Sequence, residues 1–335
     1  MRRILVWFTG LGLAAGLALL GTALWWLHAP LTLRATPDAQ VLELEIELGT
    51  SPRQVAQAVA ASGAQVWPVA LFGWFRLSGQ ARQIKAGNYE ITQGMSPRQL
   101  LNMLVRGEES LKSVTLPEGL SFSQVLATLR RAEQLKPEAQ QLSPSQLMAA
   151  LGRPGLHPEG RFFPDTYTYA KGSSDLAVLQ RAARAMDKRL AEAWAQRQPN
   201  LPLRSPDDAL VLASIIEKET GKPSDRAQIG GVFINRLRIG MLLQTDPTVI
   251  YGLGEGFDGN LRKRDLRADT PYNTYTRAGL PPTPIAMPGK AALLAAVQPA
   301  KTPAFYFVAK GDGSSHFSAS LDEHNRAVNK YIRGK

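Results

Sequence analysis

Residues 209–216 (ALVLASII) are apolar on all sides of a helical wheel, and no other run limits the possible folds as strongly. A helix without a polar face cannot lie on a surface; it needs other elements packed around it. Its start is well marked. Ser205 is a good N-cap, Pro206 suits the first helical position, and Asp207 and Asp208 sit where the helix dipole favours anions. A chain of 335 residues can supply the surrounding shell and has room for two domains.

Two carboxylates, Glu217 and Glu219, stand at the end of this run. Burial and the negative helix C-terminus both raise a carboxyl pKa, so this is a place where a proton-donating acid is made. The plainer reading is a solvated glutamate at a fraying helix end. Residues two apart on a helix do not share a face, so at most one of the pair enters a given cleft. Glu219 continues the stripe of Leu212, Ile215 and Ile216; Glu217 lies above Leu210, Ala213 and Ser214. The bulkier stripe favours Glu219 as the desolvated acid. The smaller one can itself line a groove, so Glu217 stays a secondary candidate.

Residues 4–27 contain no charge, and that length spans a bilayer as a helix. Arg2 and Arg3 precede it, which places the N-terminus in the cytoplasm, and Trp25 and Trp26 mark the far interface. A cleavable signal peptide would have a shorter apolar region and a small-x-small site. The expectation is one uncleaved anchor over residues 1–30 in an inner membrane, with the rest in a periplasm. The formal net charge of +11 suits an anionic partner. Outside the cytoplasm that partner is a membrane surface or an acidic polymer, not a nucleic acid. Cysteine is absent, which excludes disulfides, thiolate nucleophiles and cysteine metal sites.

A weak repeat follows: GTSPRQVAQAV from Gly49, GMSPRQLLNML from Gly94, GLSFSQVLATL from Gly119 and LSPSQLMAAL from Leu142. Each has Ser at an N-cap position with Gln three residues later, and three have Pro between them. Residues 42–48 alternate, with Leu42, Leu44, Ile46 and Leu48 on one face of a strand. Shorter strands are expected at 86–91 and 113–116, and residues 67–77 (WPVALFGWFRL) read as a helix packed by its aromatics. Residues 40–108 thus read as a small strand-helix-helix-strand module, either a glycan-binding domain resembling the LysM type or a structural spacer.

Beyond it, residues 108–155 are helical and then turn-rich, 159–170 form an aromatic loop or strand, and 174–198 an amphipathic helix. A second helix is expected over 229–237, with Asn235 and Arg236 exposed at its end, and a polar turn over 244–248. Residues 270–289 are too rich in Pro and Gly for helix or central strand and read as a binding loop. A hairpin from Phe305 to Ser318 and a helix close the chain.

No phosphate loop is present, the Gly-rich 252–256 segment lacks a dinucleotide context, and no Gly-x-Ser-x-Gly elbow occurs. His28, His157, His316 and His324 lack metal-ligand spacing. No metal or cofactor is expected. What remains is carboxylate chemistry beside amides and tyrosines, which suits a glycan. The blocks EGRFFPDTY, IIEKET, VFINRLRIGMLLQTDPTVIYGLG and PYNTYTRAGLPPTPI resemble the signature segments of the MltG (YceG-like) family of endolytic murein transglycosylases. The resemblance covers nearly the whole chain and is strongest from about residue 112. Two positions depart from the family pattern, Thr283 and Met287.

The resemblance implies a single N-terminal transmembrane helix, the LysM-like module over 40–108 and a larger α+β catalytic domain over 109–335. It implies Glu219 as the catalytic acid, acting on peptidoglycan glycan strands at the inner membrane, with cell-wall synthases as possible partners. A lytic transglycosylase needs one carboxyl, because the muramoyl C6 hydroxyl is the nucleophile and a 1,6-anhydro end results. Gln244, Asp246, Tyr272, Asn273 and Tyr275 are the candidate substrate-binding residues, each also readable as a turn or core residue. Two rival functions are an idle glycan-binding scaffold and a muramidase using water, with Asp246 or Asp165 as second carboxylate.

Overall fold

The computed structural model describes the backbone of residues 2–33 and 41–334, and the side chains among these from residue 15 onward. The chain is a helix-rich α+β protein that divides into two compact units, Met1–Lys112 and Ser113–Lys335.

The first unit opens with one continuous helix, α1 (Arg2–His28). Among the described residues no helix is long and apolar enough to cross a membrane. The side chains of residues 2–14, which carry much of the expected 4–27 anchor, lie outside the described residues. Next come β1 (Val41–Ile46), α2 (Pro52–Ala61), α3 (Pro68–Leu77), β2 (Gly87–Thr92) and α4 (Pro97–Arg106). The strands pair antiparallel, with Leu44 opposite Tyr89 and Ile46 opposite Gly87. The apolar face of β1 packs with Val55, Leu71, Phe75 and Leu100 in one core. The alternation expected through Leu48 stops at Ile46. Gly49 takes a left-handed backbone (φ 88°), the chain turns, and Leu48 is left 95% exposed. Phe75 is buried as the aromatic reading of 67–77 required, but Trp67 is the residue before α3 and stands in solvent.

All four repeated Ser-x-x-Gln units form reciprocal caps. Ser51, Ser96, Ser121 and Ser143 each accept from the backbone of the Gln three residues on, whose side chain takes the serine N–H. A cap of this kind is worth about 1 kcal/mol, which explains why the repeat survives as a local signal in both units.

In the second unit β3 (Leu111–Thr115) pairs with β4 (Thr166–Ala170), and α5 (Phe122–Arg130) and α6 (Pro144–Ala150) lie between them in sequence. Then follow α7 (Asp175–Ala195), α8 (Pro206–Glu219), α9 (Pro223–Arg238), α10 (Asp246–Leu253), α11 (Lys263–Arg267) and α12 (Lys290–Val297). The hairpin β5 (Tyr306–Ala309) with β6 (Ser315–Ser318) and α13 (Leu321–Tyr331) end the chain. The apolar helix is α8, and α7, α9, α10 and α12 pack around it. Leu210, Leu212, Ala213, Ile215 and Ile216 are all fully buried there. Burying one such Leu or Ile contributes about 1.5–3 kcal/mol, so this helix anchors the unit. The packing is close at α9: a Cβ on Gly230 would lie 2.5 Å from the Ala295 carbonyl oxygen, and one on Gly231 2.5 Å from that of Ala300.

Two expected boundaries move. The helix anticipated at 229–237 starts at Pro223, since Pro at the first position and Asp225 in the first turn suit a helix start. The segment expected to be a polar turn, 244–248, is in part helical: α10 begins at Asp246, with Pro247 in its first turn.

Candidate active site

Glu219 is the last residue of α8, at the negative end of the helix. Burial pushes its carboxyl up to about 7; a hydrogen bond from Thr245 works against that shift, Asp246 adds to it and Arg236 opposes it. The Thr245 hydroxyl donates to Glu219 Oε1. Thr245 itself is buried just before α10, whose first residue Asp246 is exposed. The Tyr275 hydroxyl donates to Asp246 Oδ1. Burial and that carboxylate hold the Tyr275 phenol well above its usual range.

Glu217 goes elsewhere. Its Oε1 accepts from Arg226 at 3.0 Å and its Oε2 from the Gly289 amide at 2.8 Å, in a nearly buried ion pair. It therefore braces α8 against α9 and the segment before α12, away from the Thr245 side.

Asn235 and Arg236 were expected at an exposed helix end, and the structure corrects this. Arg236 is buried; its guanidinium donates to the carbonyls of Phe305 (2.7 Å), Leu242 (3.2 Å) and Leu243 (2.7 Å) and lies over the Tyr306 ring. The Asn235 amide donates to Thr302 and Ala304 carbonyls at 2.8 and 3.0 Å. The 302–306 segment covers the helix end that spacing alone left open.

The substrate-binding candidates also separate. Asp246 and Tyr275 stand beside Glu219. Gln244 is exposed and left-handed (φ 49°), its N–H donating to the Thr274 carbonyl at 3.0 Å. That conformation costs a non-glycine residue on the order of 1–3 kcal/mol, which the surrounding packing must offset. Tyr272 lies in the wall of a neighbouring groove, its hydroxyl 2.8 Å from Thr283 Oγ1, so one departure from the family pattern is occupied by a specific hydrogen bond. Met287, the other, is fully buried. Asn273 is inaccessible: its amide donates to the carbonyls of Asp265, Leu266 and Ala268 and its oxygen accepts from Tyr275 N–H. It organises the proline-rich loop instead of meeting a ligand. Asp165 is exposed next to β4 and accepts from the Thr166 amide.

The groove holds about 830 Å³. α10 joins the two places, carrying Asp246 beside Glu219 and Pro247, Ile250 and Tyr251 into the groove wall. Lys218, whose ammonium donates to Gly119 O at 3.2 Å, also lines the groove. Glu159, a residue that sequence reasoning does not single out, is part of the lining as well. It is 3% exposed, and burial pushes its carboxyl up to about 7 against hydrogen bonds from the Phe122 amide, the Tyr251 hydroxyl and the Gly160 amide. Thr245 was also passed over. It sat inside a block already singled out, but nothing in local spacing tells that its hydroxyl reaches a residue 26 positions earlier. Among the described residues no group of three His, Asp or Glu is placed to hold a metal ion.

The pattern of the YceG-like family matches residues 44–330, and the chain belongs to that family. An endolytic murein transglycosylase of Bacillus subtilis is 33% identical over 279 residues, 76% of this chain and 75% of that protein. One from Streptococcus pneumoniae is 29% identical over 301 residues, covering 79% of this chain and about half (54%) of its own length. A crystal structure of a yceG-like protein from Listeria monocytogenes superposes with a TM-score of 0.54 at 28% identity, over 86% of this chain and 98% of that one.

Proposed function

We propose that this protein is an endolytic lytic transglycosylase that cleaves the β-1,4 bond between N-acetylmuramic acid and N-acetylglucosamine in peptidoglycan strands. Membership of the family and relatives bearing that name support the reading. The observation that carries it is Glu219: a carboxyl that titrates at about 7 holds and releases a proton near neutrality.

Glu219 first protonates the glycosidic oxygen. The C1–O bond breaks with oxocarbenium character, and the Asp246 carboxylate beside Glu219 stabilises that charge. Glu219, now ionised, accepts the proton of the muramoyl C6 hydroxyl as that oxygen closes on C1. The products are a 1,6-anhydro end and a free 4-hydroxyl, with no net proton transfer. Intramolecular attack supplies the effective concentration that a hydrolase must obtain by positioning water. The strand runs from Glu219 along α10 into the groove with Tyr251 and Tyr272. Such a cut would end strand elongation, in company with cell-wall synthases.

In the same reading residues 4–27 anchor the protein in the inner membrane with its N-terminus cytoplasmic, and the LysM-like module over 40–108 brings strands to the site. Digestion of purified peptidoglycan with mass analysis tests the reaction. Anhydro products, lighter by one water than hydrolysis products, are expected. Reducing ends would instead favour a muramidase with Asp246 as second carboxylate, the only rival carboxylate beside Glu219 among the described residues. No product on any glycan, nascent strands included, would leave a scaffold.

A further inference from the structure

We propose that Thr245 is a positioning residue that decides which oxygen of Glu219 carries the transferable proton; this rests on Glu219 being the acid. Thr245, Thr248 and Thr274 are 2%, 0% and 2% exposed and form one buried cluster. Each hydroxyl has one proton to donate. The Thr248 hydroxyl donates to the Thr245 carbonyl at 2.8 Å. Thr248 and Thr274 are paired through their hydroxyl oxygens at 2.9 Å, and Thr274 Oγ1 also lies 3.5 Å from the Thr245 carbonyl oxygen, so whichever of the two donates in the pair, both protons find acceptors inside the cluster. Thr274 Oγ1 in turn accepts the Thr245 amide at 3.0 Å. The Thr245 proton has no acceptor inside the cluster; its acceptor is Glu219 Oε1.

The direction of that bond has a consequence. If a protonated Glu219 donated to Thr245, the Thr245 proton would lose its acceptor in a buried site, which is costly. Oε1 therefore stays an acceptor in both protonation states, and Oε2 is the oxygen that gives and takes the proton. Gln244, in its left-handed conformation, donates its N–H to the Thr274 carbonyl, which ties the chain just before Thr245 to the same cluster. The charged and titratable groups facing Glu219 are Asp246 of α10 and Arg236 of α9, with Tyr275 of the loop behind Asp246. None of these bonds Oε1 in place of Thr245.

The test compares Thr245→Val, which keeps the shape and removes the hydroxyl, with Thr245→Ser, which keeps the hydroxyl. The full chain is used, with thermal melting as the fold check. Glu219 is titrated by carbon NMR of its labelled carboxyl, and kcat and KM are followed against pH on glycan strands. In Thr245→Val the Glu219 titration is expected to move up by about one to two pH units, because a hydrogen bond to the ionised form is lost. The alkaline limb of kcat should move with it, kcat should fall on the order of 10²-fold through lost orientation, and KM should change little. Thr245→Ser should restore both. A purely structural role would lower melting temperature without moving the titration. Should the valine variant fail to fold, Thr245→Ala carries the same titration. A folded variant without the hydroxyl that titrates as wild type overturns the proposal, as does a serine variant that behaves like valine. Absence of glycan products from wild type would defeat the transglycosylase reading, while the NMR titration would still decide the role of Thr245.

Discussion

Glu217 and Glu219, two residues apart at the end of α8, go to opposite partners: Glu217 to Arg226 and the Gly289 amide, Glu219 to the Thr245 hydroxyl. The helical offset between them turns one into a structural brace and the other into a buried, protonatable carboxyl.

That division predicts two different failures. Glu219→Gln should keep its fold and lose on the order of 10²–10⁴ in rate, more if the same group serves both steps. Glu217→Gln should keep most of its specific activity per folded molecule. It should melt earlier, by roughly 1–3 kcal/mol of stability, because the amide keeps one acceptor oxygen for Arg226 but loses the charge of the ion pair and turns an NH2 group toward the Gly289 N–H. Anhydro-product release and a thermal melt, run on both variants, check this. An inactive Glu217→Gln of normal stability beside an active Glu219→Gln would reverse the assignment.

Stability should fall as pH rises from about 4.5 to about 7. The folded Glu159 carboxyl titrates at about 7 against an ordinary value of 4.5, so the native state binds the proton more tightly than the unfolded chain. Its favourable contribution is complete below the unfolded value, declines across that window and is gone above the folded one. The shift corresponds to a swing of roughly 3 kcal/mol, and Glu219 adds in the same direction. Denaturant melts between pH 4 and 8 should show the slope, and Glu159→Gln should flatten a good part of it. A slope unchanged in Glu159→Gln would count against the buried carboxyl as its source.

Asn273→Ala should damage the fold more than the chemistry. It removes the donor from the Asp265, Leu266 and Ala268 carbonyls, a loss of about 2–4 kcal/mol. Tyr275→Phe should leave the melting temperature nearly unchanged and slow turnover by around tenfold, since Asp246 loses its phenol donor. Melting temperatures and kcat of the two variants separate a loop organiser from a cleft residue.

If residues 4–27 anchor the protein as proposed, a reporter fused after Lys335 should be active only in the periplasmic compartment, the orientation that Arg2 and Arg3 favour. Recovery of a soluble, N-terminally processed chain would contradict the anchor. The isolated 40–108 segment, if folded, should co-sediment with peptidoglycan at low salt; a folded segment that stays in solution is a spacer.

Local periodicity was sufficient for much of the architecture. Each Ser-x-x-Gln cap is satisfied within its own turn of helix, and the strand alternation of Leu44 and Ile46 depends only on backbone pleat, so both were readable from the chain. The all-apolar α8 likewise announced its own burial, while which of Glu217 and Glu219 is desolvated was left to the tertiary contacts.

Interactions that close within a few residues were legible in the chain: caps, strand faces and a buried helix. Tertiary structure alone decided where polar groups find partners across the chain. Asn235 and Arg236 looked exposed because their cover, residues 302–306, comes some 70 positions later. Asn273 looked like a ligand contact until its amide met three carbonyls of the preceding turn. Thr245 and Glu159 looked ordinary because a hydroxyl that orients an acid, and a carboxyl that titrates near neutrality, are made by burial and by distant partners. Hydrogen bonds of that kind depend on distances in space, and linear spacing along the chain carries no record of them.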